Sequence, residues 1–408
     1  MASISFIFGL LLGYVSCKTQ PNIIFLMTDS MDGRNMDPRS DQYGIIKMPY
    51  LRSIGNIGVQ FVNTYTSSPQ CVPGRTCLFS GRRTDQQKAF NNGMGWGMTS
   101  DGKTVDNNCK RDYGNQTCQD FYQLQQINYT LLDAMQDIGY DVHLIGKVDV
   151  GANILYIPEQ KNATADGFHG GPDDYSGLAT FSRSANILKP TKAKPVADEN
   201  DNNVHPEDWG IASNCIDQIN KFGANKDNQT KPWMVYCSIN IPHPAFETNA
   251  TWLAGVNQAA VTLPIWPDES TFHPADEYQS ISKNVWVNYT DEDILNIRST
   301  YYAMNNEADY ILGTVINASL SNGFNTSNTI FIYTSDHGEM NMEHRQQLKN
   351  SMYEASSRIP LYFAGPNIKE NIMIKNVTNN IDILPTLIEI GGGIVPEFMN
   401  GTSLLPWL

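Results

Sequence analysis

The sequence predicts an α/β fold, a large mixed and mostly parallel sheet sandwiched by helices. Short β-branched and aromatic runs bounded by polar turns recur at 22–27, 142–145, 233–237 and 329–333, as strands buried on both faces do. Between them apolar residues return at helical spacing, as in Ile211, Cys215, Ile216, Ile219 and Phe222, and again in Ile294, Ile297, Tyr301, Ala308, Ile311 and Val315. Strands alternating with helices build such a sheet. Thr290 and Asp293 have capping-box spacing, with Asp in place of Glu, and start the second of these helices. Polar residues follow the strands: Asp29 the first, Lys147 the second, His243 the third, and Asp336 with His337 the fourth. Ligands of open α/β sheets gather at the carboxyl ends of strands, so these residues are expected along one edge.

The chain has 408 residues, enough for a sizeable core. Its net charge of -14 excludes a nucleic-acid partner, which needs a basic face, and obliges any anionic substrate to meet a locally basic pocket. Residues 1–17 carry no charge and centre on an apolar run from Phe6 to Leu12, ending in Val15, Ser16 and Cys17. They read as a signal peptide, and no later apolar tract is long enough for stable membrane insertion. Ten Asn-x-Ser/Thr sequons (Asn115, Asn128, Asn162, Asn228, Asn249, Asn288, Asn317, Asn325, Asn376 and Asn400) fit a glycosylated secretory product. Cys109 and Cys118 flank a short polar loop suited to one bridge. With Cys17 removed and Cys71 chemically consumed, an odd count remains, so at least one thiol is expected free or buried.

The run Cys71, Val72, Pro73, Gly74, Arg75 precedes a stretch that reads as the opening of a helix. Proline suits a first helical turn, the free N–H groups and dipole there favour an anion, and Arg75 adds a permanent planar charge. The run describes an oxyanion site with a sulfur side chain at its mouth. The same residues also fit a structural cysteine before an ordinary proline-started helix.

Cys-x-Pro-x-Arg resembles the signature of the type I sulfatases, a branch of the alkaline phosphatase superfamily. In that family the cysteine is oxidised to formylglycine by a formylglycine-generating enzyme during synthesis, and the hydrate is the nucleophile. The resemblance covers nearly the whole chain: Pro21 to Asp29 is similar to the family's first strand and metal-binding Asp, and Gly146 with Lys147 to its central lysine. Pro242, His243 and Pro244 resemble its sulfate-binding histidine, 335–339 its second metal cluster, and Lys349 with Tyr353 and Glu354 its Lys-x-x-x-Tyr-Glu element. The stretches 28–34, 301–304, 342–346 and 351–356 resemble the arylsulfatase K subgroup. The domains implied are a signal peptide over 1–17 and a sulfatase catalytic domain over 18–408, with the smaller C-terminal domain of the family expected to be absent.

The resemblance implies a secreted or lysosomal sulfuric ester hydrolase acting on a sulfated carbohydrate, with 2-sulfated glucuronate of glycosaminoglycans as the subgroup's substrate. It implies calcium held by Asp29, Cys71, Asp336 and His337, with magnesium or a mixed-ligand metal as the alternative and Asp32 as an additional candidate ligand. Arg75, Lys147, His243 and Lys349 are expected to meet the sulfate, with His243 or Lys349 as proton donor to the leaving oxygen. Two departures affect mechanism. Ser30 replaces a second acidic residue after Asp29 and His337 stands where Asn is usual, which thins the oxygen shell that calcium prefers. Asp149 stands where many members have His, so it is expected to act as base. His344 and Arg345 fit either a sugar contact or an exposed turn. A phosphodiesterase or phosphonate hydrolase of the same superfamily and a catalytically silent glycan-binding protein are the competing readings.

Overall fold

A computed structural model describes residues 20–87, 89–90, 92, 129–150, 194–195, 203–282, 285 and 289–408. The expected signal peptide, the Cys109 to Cys118 bridge, the sequons at Asn115, Asn128, Asn162 and Asn288, and His169 lie outside them.

The central sheet has seven strands: β1 (Asn22–Asp29), β2 (Val59–Phe61), β3 (Asp141–Gly146), β4 (Trp233–Pro242), β5 (Thr329–Ser335), β6 (Leu361–Ala364) and β7 (Ile372–Ile374). Their order is β7-β2-β6-β5-β1-β4-β3. The four expected strands form a continuous parallel block, β3-β4-β1-β5, and β6 runs antiparallel to both β5 and β2. The carboxyl ends of β1, β3, β4 and β5 therefore share one edge.

Alternation along β1 splits the core into two layers. Ile24 and Leu26 pack on one face with α1 (Pro49–Ile57), α4 (Pro206–Ala224) and α5 (Asp291–Ser321). Ile23, Phe25 and Met27 pack on the other with α2 (Cys71–Ser80), α3 (Leu131–Asp137) and α6 (Ile383–Ile390). Successive side chains of a strand point to opposite faces, so a strand this apolar must be covered twice. Helix α5 opens with the Thr290 and Asp293 capping box that its spacing predicts.

Local patterns misled at the start of α2 and at Asn249, while the expectation of a free or buried thiol holds for Cys77. The Cys71 run does not precede its helix: α2 starts at Cys71 itself. Cys215 of α4 is bonded to Cys237 of β4, which leaves Cys77 as the buried free thiol beside Cys71 among the described residues. Asn249 is buried, and its side chain accepts the Trp252 N–H as a helix cap, so this sequon is closed to glycosylation. Asn228, Asn317, Asn325, Asn376 and Asn400 are exposed.

Two buried carboxyls tie helices to the sheet layers. Asp309 on α5 accepts the N–H groups of Tyr50 and Leu51 at the start of α1, and Asp208 on α4 accepts the N–H of Asn240 on β4. Burial pushes Asp309 up to about 7 and Asp208 up to about 6. A raised folded-state pKa means that the fold favours the protonated form. The stabilisation is complete below the ordinary value of 3.8 and is lost as pH rises through the folded values. An Asp208→Asn/Asp309→Asn double variant should flatten the dependence of the thermal midpoint on pH between about pH 4 and about pH 7, whatever its offset; an unchanged slope in calorimetry would contradict the assignment.

Candidate active site

Helix α2 brings Cys71 to the carboxyl edge of the sheet. All ten of its residues are buried, so its polar groups need partners inside the protein. A Cβ on Gly74 would lie 2.8 Å from the Ser68 carbonyl oxygen and 3.1 Å from that of Asp336, so only glycine lets the helix approach the end of β5 this closely. Gly146 plays a similar part for Lys147. Its φ is +87° and a Cβ would lie 2.1 Å from the Ser238 oxygen, which leaves the turn out of β3 to glycine.

Four donor atoms, one each from Asp29, Cys71, Asp336 and His337, lie within 4.8 Å of one another, and all four residues are buried. The His337 Nδ1 sits 2.8 Å from the Gly338 carbonyl, which can only accept, so Nδ1 carries a proton and Nε2 is the ring nitrogen turned to the cluster. Nε2 points at Cys71 Sγ, 3.3 Å away, and lies 3.7 Å from both Asp29 Oδ1 and Asp336 Oδ2.

Arg75 lies among these groups with no solvent exposure. Its Nε donates to Asp336 Oδ2 at 2.7 Å and its Nη2 to Asp29 Oδ2 at 3.2 Å. Its Nη1 donates to the Lys147 carbonyl at 2.7 Å, Ser238 Oγ at 2.9 Å and Tyr236 Oη at 3.2 Å. A guanidinium committed in this way shapes the site from within the protein, which revises the expectation that Arg75 meets the substrate. Lys147 Nζ bonds Asp29 Oδ2 at 2.9 Å and Asp149 Oδ2 at 3.4 Å. Ser30, at a φ of +73°, donates its hydroxyl to Asp29 Oδ1 at 2.8 Å.

The charges set the protonation states. Burial opposes ionisation of Asp29, but the neighbouring cations, Lys147 foremost and then Lys349, outweigh it and hold the carboxyl well below its ordinary range. Asp336 is raised, because burial and the neighbouring Asp29 and Cys71 charges outweigh Arg75. Burial and Asp29 push the Cys71 thiol up; Lys349, Lys147 and His337 overcome them and bring it to about 7. His243 is pulled down to about 3 by burial and Lys349. Its Nδ1 donates to the Pro244 carbonyl at 2.6 Å, so neutral His243 offers an acceptor at Nε2. Lys349 is also buried, at 5% exposure, and acts electrostatically on Cys71, Asp29, His243 and His337.

Other expectations fall away from the cluster. Both oxygens of Asp32 are bonded by Arg34, which also holds Glu343, so Asp32 is turned from the four donors. His344 stacks on Tyr353 at 3.7 Å, and Arg345 pairs with Glu269 and lies over Trp266. Sequence reasoning missed Tyr236 and Ser238, whose one signal is a hydroxyl on each of two same-face positions of an apolar strand. It also missed Tyr301, whose hydroxyl donates to the Ser30 carbonyl and accepts the Asp32 N–H.

Two carboxylates, an imidazole and position 71 fit a metal. Thiol, imidazole and carboxylates together make a zinc-type donor set, whereas calcium takes six to eight oxygens. Replacing the sulfur by oxygen moves the site toward calcium.

A family model described as Sulfatase matches residues 21–394. Arylsulfatase K of Bos taurus is 33% identical over 400 residues, covering 95% of this chain and 65% of that protein, and arylsulfatase K of Homo sapiens is 32% identical over 405 residues, covering 95% and 66%. The chain thus spans just under two thirds of these relatives. Among solved structures, the phosphonate monoester hydrolase SpPMH from Silicibacter pomeroyi superposes with a TM-score of 0.67 at 21% identity, covering 95% of this chain and 76% of that one. A 2-O GAG sulfatase superposes with a TM-score of 0.59 at 19% identity, covering 95% and 74%. These structural likenesses show the fold.

Two outcomes test this geometry. Arg75→Ala would leave Asp29 and Asp336 buried without their shared partner, and chemical denaturation should show a loss of about 3–5 kcal/mol. With Cys71 as encoded, cobalt(II), the spectroscopic stand-in for zinc, should bind with a thiolate charge-transfer band that Cys71→Ser abolishes. The same substitution should tighten calcium binding in calorimetry, and equal calcium affinities would refute the donor-set reading.

Proposed function

Because the chain belongs to the sulfatase family, we propose that it is a sulfuric ester hydrolase that removes sulfate from a sulfated sugar, using formylglycine made from Cys71 and a bound calcium. The observation that carries this reading is the pair of buried cations, Lys147 and Lys349, that bear on Cys71 in a chain of net charge -14. Such a pair recruits an anion that the rest of the surface repels. The substrate we propose is 2-sulfated glucuronate at the end of a glycosaminoglycan chain, supported by the arylsulfatase K relatives and the 2-O GAG sulfatase neighbour. Synthesis in the secretory pathway, with delivery to the lysosome or outside the cell, follows from the same reading.

Asp29, Asp336, His337 and position 71 would hold the calcium, which supplies a Lewis acid that polarises an oxygen nucleophile. Formylglycine supplies a geminal diol, one hydroxyl to attack sulfur and a second that allows sulfate to depart by carbon–oxygen cleavage. The chain's own residues do the rest. Arg75 fixes both carboxylates on the metal side. Lys147 and Lys349 present charge to the sulfate oxygens, and Lys349 gives the proton to the departing sugar oxygen. His243 takes up a proton as the anion arrives, because a nearby negative charge favours its cationic form. Asp149, 3.4 Å from Lys147 Nζ, is the proposed base that accepts the proton released when the aldehyde is restored.

The test uses protein from a secretory host, with mass spectrometry of the peptide containing position 71. Sulfate should be released from 2-sulfoglucuronate-capped oligosaccharides and not from the corresponding phosphonate esters. Cys71→Ser, with one hydroxyl in place of two, should accept a single equivalent of sulfate and stall. Full turnover by that variant, or preferential cleavage of phosphonate esters, would overturn the reading.

A further inference from the structure

The segment after β5 carries Lys349 to the site on an unusual backbone. Asn341, Met342, His344, Arg345, Leu348 and Asn350 all have φ between +44° and +80°, and Lys349 is held between two of them, Leu348 at +66° and Asn350 at +80°. Left-handed non-glycine residues persist only where the surroundings impose them. On the far side of Lys349, the Asn350 N–H donates to the Pro69 carbonyl at 3.0 Å, next to the start of α2. On the near side the constraint is one carboxylate. Glu339, fully buried and two residues after His337, accepts the N–H of Leu348 at 2.5 Å and that of Asn341 at 3.1 Å on the same oxygen, Oε1. The Met340 N–H closes the loop onto the Leu348 carbonyl at 2.7 Å. The Gly338 N–H in turn donates to the Ser356 carbonyl at 2.8 Å, which anchors the base of the segment.

We propose that Glu339 is a positioning residue that clamps the 339–348 loop and so aims Lys349 into the anion pocket. The inference rests on the proposed reading of that pocket as a sulfate site. A short, rigid connection joins the strand end that carries Asp336 and His337 to the lysine that faces them. Without the clamp, Leu348 relaxes from its left-handed conformation and the Lys349 ammonium leaves its place. Glu339 touches no substrate and acts through Lys349.

A double-mutant cycle tests this on the full-length protein. Glu339→Ala should lower kcat/KM for the sulfated substrate roughly 10- to 100-fold, as expected for loss of charge-assisted bonds that place a working group. On a Lys349→Gln background the same change should cost less than about 3-fold, because the residue it serves is already gone. Glu339→Gln keeps an oxygen acceptor for both N–H groups and should retain most of the activity. Inorganic sulfate, measured by calorimetry or as a competitive inhibitor, should bind more weakly to Glu339→Ala and no more weakly to the double variant than to Lys349→Gln. Should Glu339→Ala fail to fold, Glu339→Asp, which keeps the charge but draws the acceptor back by one methylene from the Leu348 N–H, should weaken sulfate binding in the same Lys349-dependent way. Additive losses on both backgrounds, or unchanged sulfate affinity in folded Glu339→Ala or, where that does not fold, in Glu339→Asp, would overturn the proposal. A wild-type protein that binds sulfate but hydrolyses no sulfate ester would sink the hydrolase reading while leaving the clamp open to the binding arm.

Discussion

The site depends on a single guanidinium. Arg75 reaches from the second turn of α2 to the ends of β1 and β5, and there it bonds Asp29 and Asp336 at once. Two carboxylates this close in a dry interior repel each other, and one partner shared between them is what lets both remain beside Cys71 and His337. The same group binds the carbonyl of Lys147 and the hydroxyls of Tyr236 and Ser238, so four strands and one helix are registered against a single planar fork. Lysine, with a point charge and no fork, could not make this pattern.

Around that fork the protein separates two kinds of charge. Arg75 and Lys147 neutralise the carboxylates from one side, while Lys349 bears on Cys71 and His243 from another. The result is a cluster able to hold a cation and an anion together. Burial strengthens every one of these interactions, because water does not screen them. Ser30 belongs to the same economy: its hydroxyl occupies an oxygen of Asp29 that a second acidic residue would otherwise repel.

Much of the fold was legible because its signals are local. The four longest strands are continuous apolar runs, and α4 and α5 repeat their apolar residues at helical period, so strand ends and the residues just beyond them were readable. Strands β2, β6 and β7 are only three or four residues long, too short for a periodic signal, and they were not anticipated. The start of α2 was placed too late because Cys71 and Val72 carry no capping signature. Asn249 shows the limit from the other direction: a correct sequon is closed by packing.

By itself the sequence determined the chemical inventory and its placement along strands: Asp29, Lys147, His243, Asp336 and His337 at four carboxyl ends, and Cys71 and Arg75 at a helix start. These follow from nearest-neighbour rules, in which a run of residues dictates its own conformation. Tertiary structure decided what each group does. It turned Arg75 inward, gave Asp32 to Arg34, set the tautomers of His337 and His243 through the carbonyls of Gly338 and Pro244, and placed Glu339 beneath Lys349. Those outcomes depend on contacts between residues far apart in the chain and on the loss of water around them, and neither is written in local pattern.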